Sequence, residues 1–151
     1  MQCQRVVLLT VLISALGLAI IVEAQTKATA VKPKQVLEGR VEVTITGIDK
    51  IKEWKMFPGT AIERTITAEG GRALVLVHWE VKDINTGKPN FNEYFKDFVL
   101  EDDKGNKFES ALKSSNLREC PVAVPPEATL SLFRMSGLVF DIRELAKNSV
   151  K

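Results

Sequence analysis

From Arg40 onward, apolar and polar residues alternate with a period of two. Val41, Val43 and Ile45 fall on one side and Glu42, Thr44 and Thr46 on the other, the pattern of a half-buried strand. Residues 72–81 (RALVLVHWEV) carry the strongest signal. Ala73, Val75, Val77, Trp79 and Val81 share one face, while Leu74, Leu76, His78 and Glu80 share the other. Both faces begin apolar, so this strand is predicted to be central. Glu69-Gly70-Gly71-Arg72 reads as a turn before it, and Asp83-Ile84-Asn85-Thr86-Gly87 as a turn after it. Further strands are predicted at residues 62–67, around Phe98 and Leu100, at 107–110, at 129–135 and at 138–142, with a short helix over 143–148. Residues 50–59 hold Trp54, Met56 and Phe57 before Pro58-Gly59, and read as a long loop or irregular edge. Six or seven short strands with almost no helix predict an all-β antiparallel sandwich.

The first segment obeys a different rule. Residues 6–22 contain no charge, after a short start with one positive side chain, Arg5. Val22-Glu23-Ala24 places an aliphatic residue at −3 and a small one at −1, which suits cleavage after Ala24. A helix of that length spans roughly 26 Å, short of a hydrocarbon core of about 30 Å. The expected organisation is therefore a signal peptide over 1–24, with an uncleaved anchor as the alternative. A flexible linker is expected over 25–36 and a β-sandwich domain over 37–148. Either form of the first segment sends the domain out of the cytoplasm, to a periplasmic, secreted or membrane-anchored location. Membrane contact is expected only if the segment is retained.

Charge and cysteine content narrow the classes. The chain has 21 basic and 19 acidic residues, with the signs interspersed. A basic face for nucleic acid is not expected. Removing residues 1–24 takes Cys3 away and leaves Cys120 alone, so the domain must hold together without an internal disulfide.

The order of the motifs carries a resemblance. Residues 72–81, then Asn85-Thr86-Gly87, then FKDFVLEDDKGNKFES, then a proline-led strand ending in GLVFDI resemble an immunoglobulin-like β-sandwich family. That family contains exported bacterial domains of unknown function related to a secreted immunoprotective antigen. The similarity spans residues 37–142. Pro125-Pro126-Glu127 stands where the family usually has Pro-Gly-Glu. The chain also stops soon after Ile142, so either residues 138–142 form the last strand or one sheet is a strand short. The resemblance implies an extracytoplasmic location and a binding or structural role, and supplies no catalytic residues.

Candidate chemistry is sparse. His78 is the only histidine, so a nucleophilic device would need it with Cys120. A blue-copper site needs two histidines and is excluded. A looser copper site could draw on Cys120, Met56, Met135 and His78. Asp102, Asp103, Asn106 and Glu109 lack the spacing of a calcium loop and read as a hairpin turn. Glu80 with Asp83, or Glu101 with Asp102, read as rim charges rather than glycosidase carboxylates. Cys120 is a free thiol that could be buried, capped or paired with another chain. Trp54, Met56 and Phe57 form a candidate interaction patch, with tucking under the sandwich as the alternative.

The leading expectation is a non-enzymatic binding module of the cell envelope, contacting an envelope protein or polymer, with no cofactor. A small-ligand or metal carrier is the alternative, and an uncharacterised enzyme the second alternative.

Overall fold

The computed structural model describes residues 31–149. The expected signal segment over 1–24, and residues 25–30 of the expected linker, lie outside the described residues. Antiparallel sheet dominates residues 31–149.

Four strands build the first sheet: β1 (Lys34–Leu37), β2 (Val41–Ile51), β5 (Ala73–Asp83) and β10 (Glu119–Val124), in the order β1-β2-β5-β10. The second sheet has the order β12-β11-β7-β8, with β7 (Val99–Asp102), β8 (Lys107–Glu109), β11 (Leu130–Met135) and β12 (Leu138–Asp141). Two small ribbons complete the set. One pairs β3 (Glu53–Met56) with β4 (Arg64–Thr67), and the other pairs β6 (Phe95–Lys96) with β9 (Ser114–Ser115). A single helical turn and a half, α1 (Arg143–Asn148), closes the described chain.

β5 is central, as its two apolar faces require. Its odd-numbered face meets the second sheet through Trp79, whose ring lies 5.7 Å from Phe98 and 6.1 Å from both Phe95 and Phe133. Phe133 in turn stacks on Phe140. Ile45, Val77, Cys120 and Val122 add aliphatic and thiol surface to the same layer, all essentially without solvent contact. Burying side chains of this size contributes about 1.5–3 kcal/mol each, which makes this layer the main stabilising element. The Trp79 indole N–H has no acceptor among the described residues, a loss of about 1–3 kcal/mol that the ring contacts must outweigh.

Two expectations need correction, and one strand is not predicted by the sequence pattern. The linker ends earlier than Val36: Lys34, Gln35 and Val36 pair with Thr44, Val43 and Glu42, because β2 would otherwise leave its outer backbone row unpaired. Residues 50–59 are not one loop, since β2 runs through a register shift between Ile45 and Gly47 to Ile51, and β3 comes directly after it. β10 is hidden in the sequence by Pro121. It tolerates that proline because it is the edge strand: the missing N–H faces away from β5, and the Pro121 carbonyl on that side accepts the Ser110 hydroxyl at 2.7 Å. β12 (Leu138–Asp141) is the last strand among the described residues and lies at the edge of the second sheet.

Candidate interaction surface

β2 begins, β5 ends, and β7 and β10 begin at one end of the two sheets. The long connection 84–98 crosses this end. Its first turn is built by Asp83, whose Oδ1 accepts the N–H groups of Asn85 and Thr86, both at 2.9 Å, and the Thr86 hydroxyl. These donors hold the Asp83 carboxyl below its ordinary range, the Thr86 N–H most of all.

The chain then folds back along β5. Asn90 N–H donates to the Val81 carbonyl at 2.8 Å, and Asp83 N–H to that of Lys88 at 2.9 Å. Between that point and β6 the loop has no strand partner, and a single side chain replaces the ladder. Arg118 donates to the carbonyls of Asn90, Glu93 and Asn116, and its guanidinium lies 5.6 Å from the Phe95 ring centre. Burial pulls the Arg118 pKa below its ordinary value, with the Glu93 carboxylate opposing. A guanidinium still keeps its proton.

Phe95, paired with Ser115 in the β6–β9 ribbon, goes inward and is fully buried, while Phe91 and Tyr94 stay out, 68% and 66% exposed. Ile84 is exposed at the same end. Beside Phe91 lies a cleft of about 260 Å³, lined by Trp79, Glu80, Val81, Lys82, Pro89, Phe91 and Arg118. This is a fixed loop that presents aromatic rings to solvent, the composition expected of contact hot spots.

The patch expected at Trp54, Met56 and Phe57 is split. Pairing of β3 with β4 turns alternate side chains toward the first sheet, and Trp54 is only 5% exposed. Its indole N–H donates to Glu119 Oε1 on β10 at 2.6 Å, so the ring lies across the outer face of that sheet. Met56 is half-buried. Phe57 remains exposed at the hairpin tip with Ile62, and its φ of +52° is a backbone conformation that bulky residues rarely adopt.

The other sequence candidates are dispersed. His78 lies on the outer face of β5, with Nε2 2.9 Å from Asp49 Oδ2 and Nδ1 3.7 Å from Glu119 Oε2. Cys120 pairs in register with Val77 and so faces the core, opposite to His78. Met135 is buried on the second sheet, and Met56 sits on the outer hairpin. A Cys-His nucleophile and a copper site from these four residues both fail on that separation. Among the described residues, no three His, Cys, Asp or Glu side chains are grouped to hold a metal. Burial pushes the Cys120 thiol up to about 12, which leaves it protonated, and its lack of exposure rules out pairing with another chain in the native fold.

Asp102 accepts from the N–H groups of Lys104 and Asn106 and from the Asn106 side chain, so its oxygens serve the hairpin and not calcium. Glu101 pairs with Arg134 at 3.1 Å, and Asp83 is occupied by its turn. Neither glycosidase pair retains two free carboxylates. A larger groove of about 730 Å³ lies between β4 and β10, lined by residues such as Thr65, Thr67, Glu69, Arg72, Leu74 and Ala123. It gathers no set of groups with a common chemical role.

The class that fold and site define is thus an all-β domain that displays an aromatic loop held by Arg118. No known protein family, curated protein or solved structure matches the chain.

Proposed function

We propose that this chain is an exported, non-enzymatic binding module of the cell envelope that contacts an envelope protein or polymer through the end carrying Phe91 and Tyr94. The observation that carries the proposal is the pinning of loop 84–98 by Arg118 with two aromatic rings left outside. Holding a loop in place before contact removes part of the ordering cost of binding, typically about 0.5–1.5 kcal/mol per immobilised side chain.

The fold is read as an immunoglobulin-like sandwich. Support comes from the strand order. β2-β5-β10 opposite β12-β11-β7-β8 matches the A-B-E and G-F-C-C′ arrangement of such domains, with β1 added beside the first strand. In that scheme, loop 84–98 is the B–C connection, which is a binding loop in variable domains. The uncharged run at residues 6–22 supports export.

Formaldehyde cross-linking in the native host tests the proposal. The wild-type chain is expected to form adducts in an extracytoplasmic fraction, and the double variant Phe91→Ala/Tyr94→Ala to lose them. Undiminished adducts in the double variant would overturn the assignment of the surface, and recovery of the chain from the cytoplasm would overturn export.

A second reading places the contact at the β3–β4 tip, favoured by the exposed Phe57 at positive φ with Ile62 nearby. The tip is held by Glu63, which accepts the Gly59 N–H at 2.6 Å and pairs with Lys55 at 3.5 Å.

A further inference from the structure

The side chains around the groove between β4 and β10 share no chemistry, yet one wall of that groove is backbone. β4 pairs with β3 along one side only, in the register Trp54↔Ile66 and Lys55↔Thr65. In an antiparallel ribbon, alternate residues turn their N–H and C=O groups away from the partner strand. Half of the four residues of β4 therefore present both groups on the side away from β3, and Thr65, Ile66 and Thr67 line the groove. No backbone hydrogen bond reaches β4 from outside the ribbon among the described residues.

The other sheet edges carry protection that β4 lacks. Proline, lysine, very short strands and covering segments all discourage pairing at an edge. β10 has Pro121, whose carbonyl is taken by Ser110. β1, β3 and β8 contain Lys34, Lys55 and Lys107. β6 and β9 have two residues each, and β12 has β1 beside it. β4 has no proline and no lysine. Its one charge, Arg64, stands at its first position, outside the groove lining.

The floor sets the side chains of what fits. Leu74, Pro121 and Ala123 form it, on the outer face of the first sheet, and Ala111 joins the lining. A strand laid beside β4 has a period of two, so one row of its side chains faces this floor and the other faces solvent. The floor row must be apolar. Glu69, Glu109 and Arg72 also line the groove, with both signs of charge. The groove opens beside Leu74, near the start of β5, whereas loop 84–98 follows the end of that strand, so the two surfaces are separate. Phe57 and Ile62 do not line it.

We infer that the free edge of β4 takes up an extended segment of a partner polypeptide as a third strand of the outer ribbon, with apolar side chains at alternate positions laid on Leu74, Pro121 and Ala123. Strand addition is a recurrent mode of peptide recognition, in which main-chain bonds supply affinity and alternate side chains supply specificity. A third strand also strengthens a two-stranded ribbon, which is marginal alone. The ends of the described chain lie elsewhere: Val31 precedes β1, at the opposite edge of the first sheet, and α1 packs on β2 and β11.

The test uses fluorescently labelled acetyl-Ser-Xaa-Thr-Xaa-Thr-Xaa-Lys-amide, with Xaa as Ala, Val or Leu, and reads anisotropy against the full chain. At least one peptide is expected to bind, and Ala123→Trp to weaken it about tenfold or more by filling the floor. Single N-methyl groups moved along the bound peptide should divide by a period of two. At alternate positions binding should fall about tenfold, the effect of losing one main-chain bond, and at the positions between it should change by less than about twofold. This scan changes only the peptide and leaves the fold of the protein untouched. Phe91→Ala/Tyr94→Ala should bind the peptide as the wild type does.

Failure of all three peptides to bind, or an N-methyl scan without the period of two, would overturn strand addition. Binding indifferent to Ala123→Trp would overturn its placement in this groove. Loss of binding in Phe91→Ala/Tyr94→Ala would overturn the separation of the two surfaces. A dimer of the full chain in sedimentation velocity, abolished by Ala123→Trp, would give the edge to a second copy and overturn the partner.

Discussion

The β3–β4 hairpin and loop 84–98 differ in what directs their aromatic side chains: Trp54 of the hairpin is turned inward, while Phe91 and Tyr94 of the loop stay out. Each holds aromatic residues a few positions apart, and each lies outside the two main sheets. In the strands of the hairpin, backbone pairing decides the side of each residue: Trp54 is turned to the sheet, where Glu119 takes its indole N–H. In loop 84–98 the ladder stops near Asn90 and resumes only at β6, and in between Arg118 takes up carbonyls that would otherwise need strand partners. The backbone is fixed, yet no pairing directs Phe91 and Tyr94 inward. Exposure of an aromatic residue is thus decided by what satisfies the backbone around it, more than by its hydrophobicity.

The largest effect should come from Trp54→Ala. It empties a buried site and strands the Glu119 carboxylate, so denaturant unfolding should show a loss of about 3 kcal/mol, the lower end for a buried tryptophan. Host adducts made through Phe91 and Tyr94 should persist wherever the variant remains folded. Their disappearance from folded protein would break the separation between the two regions.

Arg118→Ala should cost less stability, about 2 kcal/mol, because the carbonyls it releases can turn to water. Its mark should be local: limited proteolysis should now cut within residues 84–98. A cut that appears first in the β3–β4 hairpin would show that Arg118 does not govern the loop.

Phe57→Ala/Ile62→Ala removes the exposed tip of the hairpin. Stability should change by no more than about 0.5 kcal/mol, as for surface positions generally, and cross-linked adducts should remain. Loss of adducts here would move the contact to the hairpin.

The smallest effect concerns acid. Asp83 has a folded-state pKa lowered from 3.8, so its contribution is fully present above that value and fades as pH falls through the lower folded value. The protection of the Asn85 and Thr86 amides, taken relative to intrinsic exchange at each pH, should therefore fall at the acid end of a titration, and in Asp83→Ala it should already be low at neutral pH. Equal protection in the variant would mean that the Asp83 turn does not start the loop.

The legibility of this arrangement in the sequence divides along the same line. β5, the Asp102–Asn106 turn and the β11–β12 pair are legible because period-two alternation and turn residues are local signals. β10 is not, because Pro121 breaks the pattern and only a sheet edge excuses it. Trp54 reads as a loop residue because Pro58-Gly59 is a stronger local signal than the brief alternation of Trp54 and Met56. The aromatic surface escapes that reading although its signal is present: Phe91, Tyr94 and Phe95 within five residues cannot all share one strand face. Arg118 carries no signal, since a side chain that binds three carbonyls from two loops is visible only once those loops are brought together.

Placing the photoreactive residue benzoylphenylalanine at Asn92 in one variant and at Ile62 in another compares the two regions in a single measurement. Irradiation in the host should give high-mass adducts from position 92 and none from position 62. Adducts from position 62 alone would put the working surface on the hairpin tip and contradict the central claim.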